Sequence, residues 1–271
     1  MNPPTAVTQA LTPEPDDPTA STPEPADAPA GVEPDGPTAS ATAPEPDDAP
    51  TGLLLRAGLR LVMAVVVLGA MFFLPAGTWR YWPAWIYCGA LLGPMVAMAA
   101  YLYLRDPGLM ARRMKMRERQ ATQKKVIALS GVVFYGGLLL PGFDFRFGWS
   151  QVPMAVVLAA NAVVVLGMGL FFWVLRTNSY AARTIEVEAG QTVVSTGPYA
   201  HVRHPMYAAV IPVMLASPLA LGSLLAVLPM LLVVPLLVVR ILDEEQMLRR
   251  ELPGYPEYCD RVRWRLVPGL W

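Results

Sequence analysis

From residue 53 onward the chain alternates long apolar runs with short polar or aromatic intervals. Leu53–Leu74 is apolar except for Arg56 and Arg60 near its start, where both side chains can reach back to an interface. Trp82–Leu104 is a second run, Val126–Gly142 a shorter third and Val152–Leu175 a fourth. About 20 apolar residues cross about 30 Å of hydrocarbon, so these runs predict transmembrane helices. Trp79, Tyr81, Trp82 and Trp85 form an aromatic belt at the first turn, and Phe143–Gln151 reads as a loop on the same side. The fifth run, Tyr207–Val239, carries no charge. As one straight helix it would measure about 50 Å, too long for one bilayer crossing. Ser217-Pro218 and Gly222-Ser223 supply a break near its middle, which predicts a helical hairpin that returns to the side it left. The pattern as a whole predicts an all-α integral membrane protein with about four transmembrane helices and a C-terminal hairpin. A hairpin places His204 and Asp243-Glu-Glu245 on one side, whereas a single span would part them.

Charge fixes the expected orientation and separates the ends. Arg105–Lys125 holds eight Arg and Lys against Asp106 and Glu118, and the positive-inside rule makes it cytoplasmic. Two crossings away, the N-terminal tail is then cytoplasmic, and so is the charged segment after Arg240, which reads as a cytoplasmic helix with pairing along its face. Residues 1–52 hold ten acids, no base and thirteen prolines, with Pro-Glu-Pro-Asp-Asp at Pro13–Asp17 and again at Pro44–Asp48. Such a tail cannot bury enough apolar surface to offset its ordering entropy, so disorder is expected. It has neither the basic start nor the apolar stretch of a signal peptide. Three parts follow: a tail over 1–52, two helices and a basic loop over 53–125, and a core over 126–271. That core comprises further helices, a loop over 176–206, the hairpin over 207–240 and the charged C-terminal segment. A multi-pass location in a prokaryotic cell membrane is expected. Cys88 and Cys259 form no disulfide framework.

One polar stretch stands out between the apolar blocks, Ser195–Tyr207, which contains both histidines of the chain. Pro198 and Pro205 each lack an N–H and restrain the residue before them, so no regular helix runs through it. Gly197 marks a bend. The stretch reads either as a loop facing lipid headgroups or as a cradle of rings, imidazole and guanidinium for an anionic, aromatic small molecule. His201 and His204 have no nearby Asp, Glu or Cys in sequence, so no metal is expected. Farther on, Arg240 and Glu244 sit four apart on one helical face, which fits a salt bridge as well as a site. Gly167-Met-Gly169, near the end of the fourth run, reads as a helix-packing site or as a place where a ligand approaches the backbone.

In this order, Gly197-Pro-Tyr199, Arg203-His-Pro-Met-Tyr207, the apolar hairpin, Arg240, Glu244-Glu245 and the ending Gly254-Tyr…Tyr258…Arg261-Val…Leu266-Val-Pro268 resemble the isoprenylcysteine carboxyl methyltransferase family. That family lies within a wider group that includes phospholipid N-methyltransferases. The resemblance covers about residues 126–271, and the first two spans by hydropathy only. It implies a membrane enzyme that uses S-adenosyl-L-methionine without a Rossmann domain. By position it implies that Glu188, Gln191, Thr192, Val193 and Val194 line the cofactor, with Tyr199, His204, Pro205, Met206 and Tyr207 completing the pocket. Glu244 would close it, and Arg240 would face the acceptor. Gly167 and Gly169 resemble a Gly-x-Gly that contributes to cofactor binding in the phospholipid enzymes. The residues suit such a ligand, which has an adenine to stack, an ammonium for Glu244 and a carboxylate for Arg203 or backbone N–H groups. The implied acceptor is a lipophilic molecule entering from the bilayer; no nucleic-acid partner is expected. Amine methylation of phospholipids is the nearest alternative and would require a base, His204 or Glu245. A sterol-reductase-like enzyme using a nicotinamide cofactor is a more distant one.

Overall fold

The structure, a computed structural model, describes residues 50–114, 121–178 and 191–271. The acidic tail through residue 49, the rest of the basic loop at 115–120 and Glu188 lie outside the described residues. Among those described, every regular element is helical. The four apolar runs form α1 (Pro50–Ala76), α2 (Trp82–Arg105), α4 (Ala121–Phe147) and α5 (Met154–Thr177), with a short α3 (Pro107–Met114) after α2. Stretches of these four long helices, Gly52–Ala76, Trp82–Arg105, Ala128–Phe147 and Met154–Thr177, are long and apolar enough to cross a membrane. Only 11% of the most apolar window of α1 is buried within the protein, and Leu55, Leu59, Val62 and Val66 face outward. So wide an apolar surface is covered by lipid in an integral membrane protein.

Two boundaries differ from the hydropathy reading. α4 continues to Phe147, through part of the stretch read as a loop, and the reason is Asp144. Its carboxylate, only 1% exposed, accepts the Ser150 backbone N–H at 2.7 Å and the hydroxyls of Ser150 and Ser223. An acid satisfied by side chains from elsewhere does not end a helix, and hydropathy cannot see those partners. Arg105–Lys125, read as a loop, begins with α3, whose Met110 packs on Leu53 and Leu102. Pro107 opens α3 because the first helical position needs no N–H donor.

The hairpin forms as α6 (Pro205–Ala220) and α7 (Val227–Glu251). Its turn falls at Gly222, whose φ of 79° suits glycine, while Ser217-Pro218 stays inside α6. The tip is fastened to the far end of the bundle. The Tyr81 hydroxyl donates to Leu221 O, Leu224 N donates to Ser150 Oγ at 3.1 Å, and Ser223 bonds Asp144. Tyr81 precedes α2 and Ser150 joins α4 to α5, so both legs of the hairpin return to the opposite end. α7 then runs unbroken past Arg240 to Glu251, so the charged helix expected after the hairpin is its second leg prolonged. A short α8 (Tyr255–Arg261) follows.

Around this hairpin the core gathers Phe72, Tyr81, Tyr87, Val164, Leu221, Met230 and Val233. The tightest seam joins α5 to α6. A methyl group placed on Gly167 would lie 2.3 Å from Val213 Cγ2 and 3.1 Å from Ala209 O, whereas one on Gly169 would meet nothing within 4 Å. Gly167 is therefore a packing position against α6. We expect Gly167→Ala to lower stability by about 1–3 kcal/mol, because a branched side chain and a backbone carbonyl must both give way. Gly169→Ala should stay within about 0.5 kcal/mol of the parent. Unfolding of the two variants in matched detergent checks this, and equal stabilities would refute the assignment.

Candidate active site

At the end of the bundle opposite the hairpin tip, three segments meet. Residues 197–200 make one turn of 3-10 helix, with Gly197 at a φ of 56° pressed against Thr177 at the end of α5. Asn178 Nδ2 donates to the Tyr199 hydroxyl at 3.0 Å, and the Tyr258 hydroxyl of α8 donates to Tyr199 O at 2.7 Å. Burial pushes the Tyr258 phenol up, so it remains a proton donor. Next, the Arg203 and His204 backbone N–H groups donate to Trp264 O and Arg265 O, each at 2.9 Å. The C-terminal segment is thus laid against the corner where Pro205 starts α6. The two prolines shape the stretch as the sequence predicts, a turn followed by a new helix.

Glu244 and Glu245, adjacent on α7, project about 100° apart and serve different partners. Glu245 is 3% exposed and gathers two guanidiniums and an imidazole. Arg203 Nε lies 2.8 Å from its Oε1, His204 Nε2 3.2 Å from the same oxygen, and Arg265 Nε 3.0 Å from Oε2. The Arg203 contact is an ion pair off the line of a good hydrogen bond. Burial pushes the Glu245 carboxyl up, but the His204 hydrogen bond and charge, the Arg203 charge and the Arg265 hydrogen bond together hold it down at about 2. Glu244, with its side chain 20% exposed, accepts the Tyr207 hydroxyl at 2.7 Å and has His204 Nδ1 at 3.9 Å. Arg240 Nε in turn donates to the Tyr207 oxygen at 2.9 Å.

The structure therefore brings together His204, Tyr207, Arg240 and Glu244, four of the residues singled out in the sequence. Pro205 and Met206 open α6 beside them, the first buried and the second half-buried. Tyr199 is fixed by α5 and α8 as described, and Val193 packs against Leu252, Tyr255 and Tyr258. Gln191, Thr192 and Val194 share the irregular segment with Val193, Thr192 being exposed and the other two half-buried. His201 is exposed on the turn and takes no part in the cluster described. Arg203 departs from its expected use. It is 8% exposed and turned onto Glu245, so its charge is engaged inside the protein. Arg265 was not singled out, because nothing in its sequence neighbourhood shows that it meets an acid twenty positions earlier.

The depressed carboxyl makes Glu245 a stability group. Its folded value of about 2 lies below the ordinary 4.5, so its contribution is present above 4.5 and lost as pH falls through about 2. Glu245→Gln should cost about 3–5 kcal/mol, since it strips a buried charge from two guanidiniums. It should also flatten the fall in stability that the parent shows between those pH values. Thermal unfolding of both proteins in detergent across that range checks the claim, and parallel pH curves would count against it.

Residues 157–250 match the family model of the isoprenylcysteine carboxyl methyltransferase (ICMT) family. No curated protein matches the chain. The matched span starts within α5, takes in the turn, the corner and the whole hairpin, and ends just beyond the two glutamates. From α5 to the charged end of α7, this membrane chain is similar to the isoprenylcysteine carboxyl methyltransferase family.

Proposed function

We propose that the protein is an S-adenosyl-L-methionine-dependent methyltransferase that esterifies the carboxylate of a lipophilic, isoprenylcysteine-like acceptor drawn from the bilayer. The observation that carries the reading is the return of the hairpin, which sets Arg240 and Glu244 on either side of the Tyr207 hydroxyl. The donor set suits the cofactor. Glu244 offers a partly exposed carboxylate for an ammonium, Tyr199 and Tyr207 offer rings, and the Gln191–Val194 segment offers backbone groups. Glu188 would join them from outside the described residues, and Pro205 and Met206 would complete the wall. The bound group would supply a methyl already activated on a sulfonium. His204, only 4% exposed and turned to both glutamates, would orient Glu244 from behind.

A carboxylate acceptor needs no general base, so the protein's work is alignment and exclusion of water. Alignment alone can contribute about 7–11 kcal/mol. Arg240 would hold the acceptor carboxylate through its guanidinium. The state of Glu245 favours this over amine methylation. An amine must lose a proton, and a carboxylate held at about 2 by its cationic neighbours is a feeble base. The family match favours methyl transfer over the reductase reading. By the positive-inside rule the site opens on the cytoplasmic side, with both chain ends there.

Membranes containing the protein, incubated with methyl-labelled cofactor, should yield product whose label mild base releases as methanol. Label that resists base would mean amine methylation instead. Glu244→Gln should cost the cofactor at least about tenfold in affinity, through loss of a charged hydrogen-bond partner. Arg240→Leu should abolish transfer yet leave cofactor affinity, read by calorimetry, nearly unchanged. Arg240→Lys should recover only part of the rate, because a point charge cannot make a two-pronged contact. Full activity in both Arg240 variants would remove that residue from the acceptor site.

A further inference from the structure

The Tyr207 hydroxyl occupies an unusual place in this cluster. It has one proton to donate and lone pairs to accept with, and each has a charged partner: it donates to Glu244 Oε2 at 2.7 Å and accepts from Arg240 Nε at 2.9 Å. The bridge joins α6 to two positions of α7 one helical turn apart, on a residue that is 7% exposed. Arg has a long side chain with considerable rotamer freedom. A contact at Nε constrains the guanidinium plane, since it fixes the fork at its stem. The Glu244 end keeps the phenol from rotating its proton toward Arg240, so the oxygen always presents a lone pair there. Chains of this kind reinforce one another in a site poor in water.

We infer that Tyr207 is a positioning residue for the acceptor: its hydroxyl, held by Glu244, sets the orientation of the Arg240 guanidinium. This rests on the reading that Arg240 meets the acceptor carboxylate and Glu244 the cofactor. The Tyr207 ring can still flank the cofactor pocket, but its hydroxyl is committed to the Arg240–Glu244 bridge. Loss of the hydroxyl therefore falls on the acceptor side. Tyr207→Phe keeps the ring and removes the bridge, taking away the contact that fixes the Arg240 guanidinium at Nε while leaving the Glu244 carboxylate in place.

The test uses the full-length protein in detergent with an N-acetylated farnesylcysteine as acceptor and S-adenosyl-L-methionine as donor. Tyr207→Phe should raise KM for the acceptor or lower kcat by roughly tenfold in kcat/KM, with cofactor Kd unchanged or tighter. In an Arg240→Lys background the same change should add little, because the Nε contact that it serves is already gone. Glu244→Gln gives the opposite pattern. Its amide oxygen can still accept the Tyr207 proton, so cofactor Kd should weaken while acceptor KM stays near the parent's. A weaker cofactor with unchanged acceptor kinetics in Tyr207→Phe would overturn the inference, as would full additivity with Arg240→Lys. If Tyr207→Phe does not fold, a Glu244→Gln variant that raises acceptor KM as much as cofactor Kd overturns it instead. A parent with no turnover sinks the methyl-ester reading itself and this inference with it, whereas an active parent isolates the inference.

Discussion

Everything at the polar end of this protein depends on one carboxylate. Glu245 is buried, and a buried charge persists only where other charges and hydrogen-bond donors surround it. Its three partners come from different parts of the chain: Arg203 and His204 from the corner before α6, Arg265 from the segment after α8. The ion cluster is therefore a joint. It locks the entry of the hairpin to its exit and draws the C-terminal segment over both, where the backbone pairs of Arg203 with Trp264 and His204 with Arg265 continue the seam. With Glu245 so engaged, its neighbour Glu244 remains the more accessible of the two.

A second polar clamp, at the other end, makes the first one possible. Asp144 and Tyr81 hold the hairpin tip against the loops on that face. Between the clamps, α6 packs on α5 through the space that Gly167 leaves. Apolar association is weak in a bilayer, because lipid tails are as good a neighbour as leucine, so small residues and a few satisfied polar contacts carry helix pairing. Tyr87 of α2 with Ser217, and Asn161 of α5 with Ala220 O, add two more such contacts to α6. The hairpin is thus fixed at its tip, its middle and its ends. A site built across its two legs then keeps its geometry, as alignment-driven chemistry requires.

The two adjacent glutamates divide the work between them. Buried between two guanidiniums, Glu245 is held ionised and away from proton transfer, while the Glu244 side chain stays partly exposed. The same residue type at consecutive positions takes opposite roles because successive helical positions point about 100° apart.

Much of this was legible in the sequence, since hydropathy and turn chemistry are local. Apolar runs of the right length predicted four spans. The excessive length of Tyr207–Val239 required a hairpin, and Pro198 and Pro205 required a turn and a fresh helix start. The order of Arg203-His-Pro, Arg240 and Glu244-Glu245 was enough to gather His204, Tyr207, Arg240 and Glu244 in one place. What the sequence could not show were contacts between distant positions. Phe143–Phe147 looks like a loop until Ser150 and Ser223 are seen to satisfy Asp144. Arg203 looks available for a ligand until Glu245 is found against it, and Arg265 looks like one base among several in a charged tail. Gly167 and Gly169 look equivalent until α6 is packed against one of them. In each case the local pattern permits a role, and only the partner brought there by the fold decides it, because burial and pairing set the free energy of a polar group.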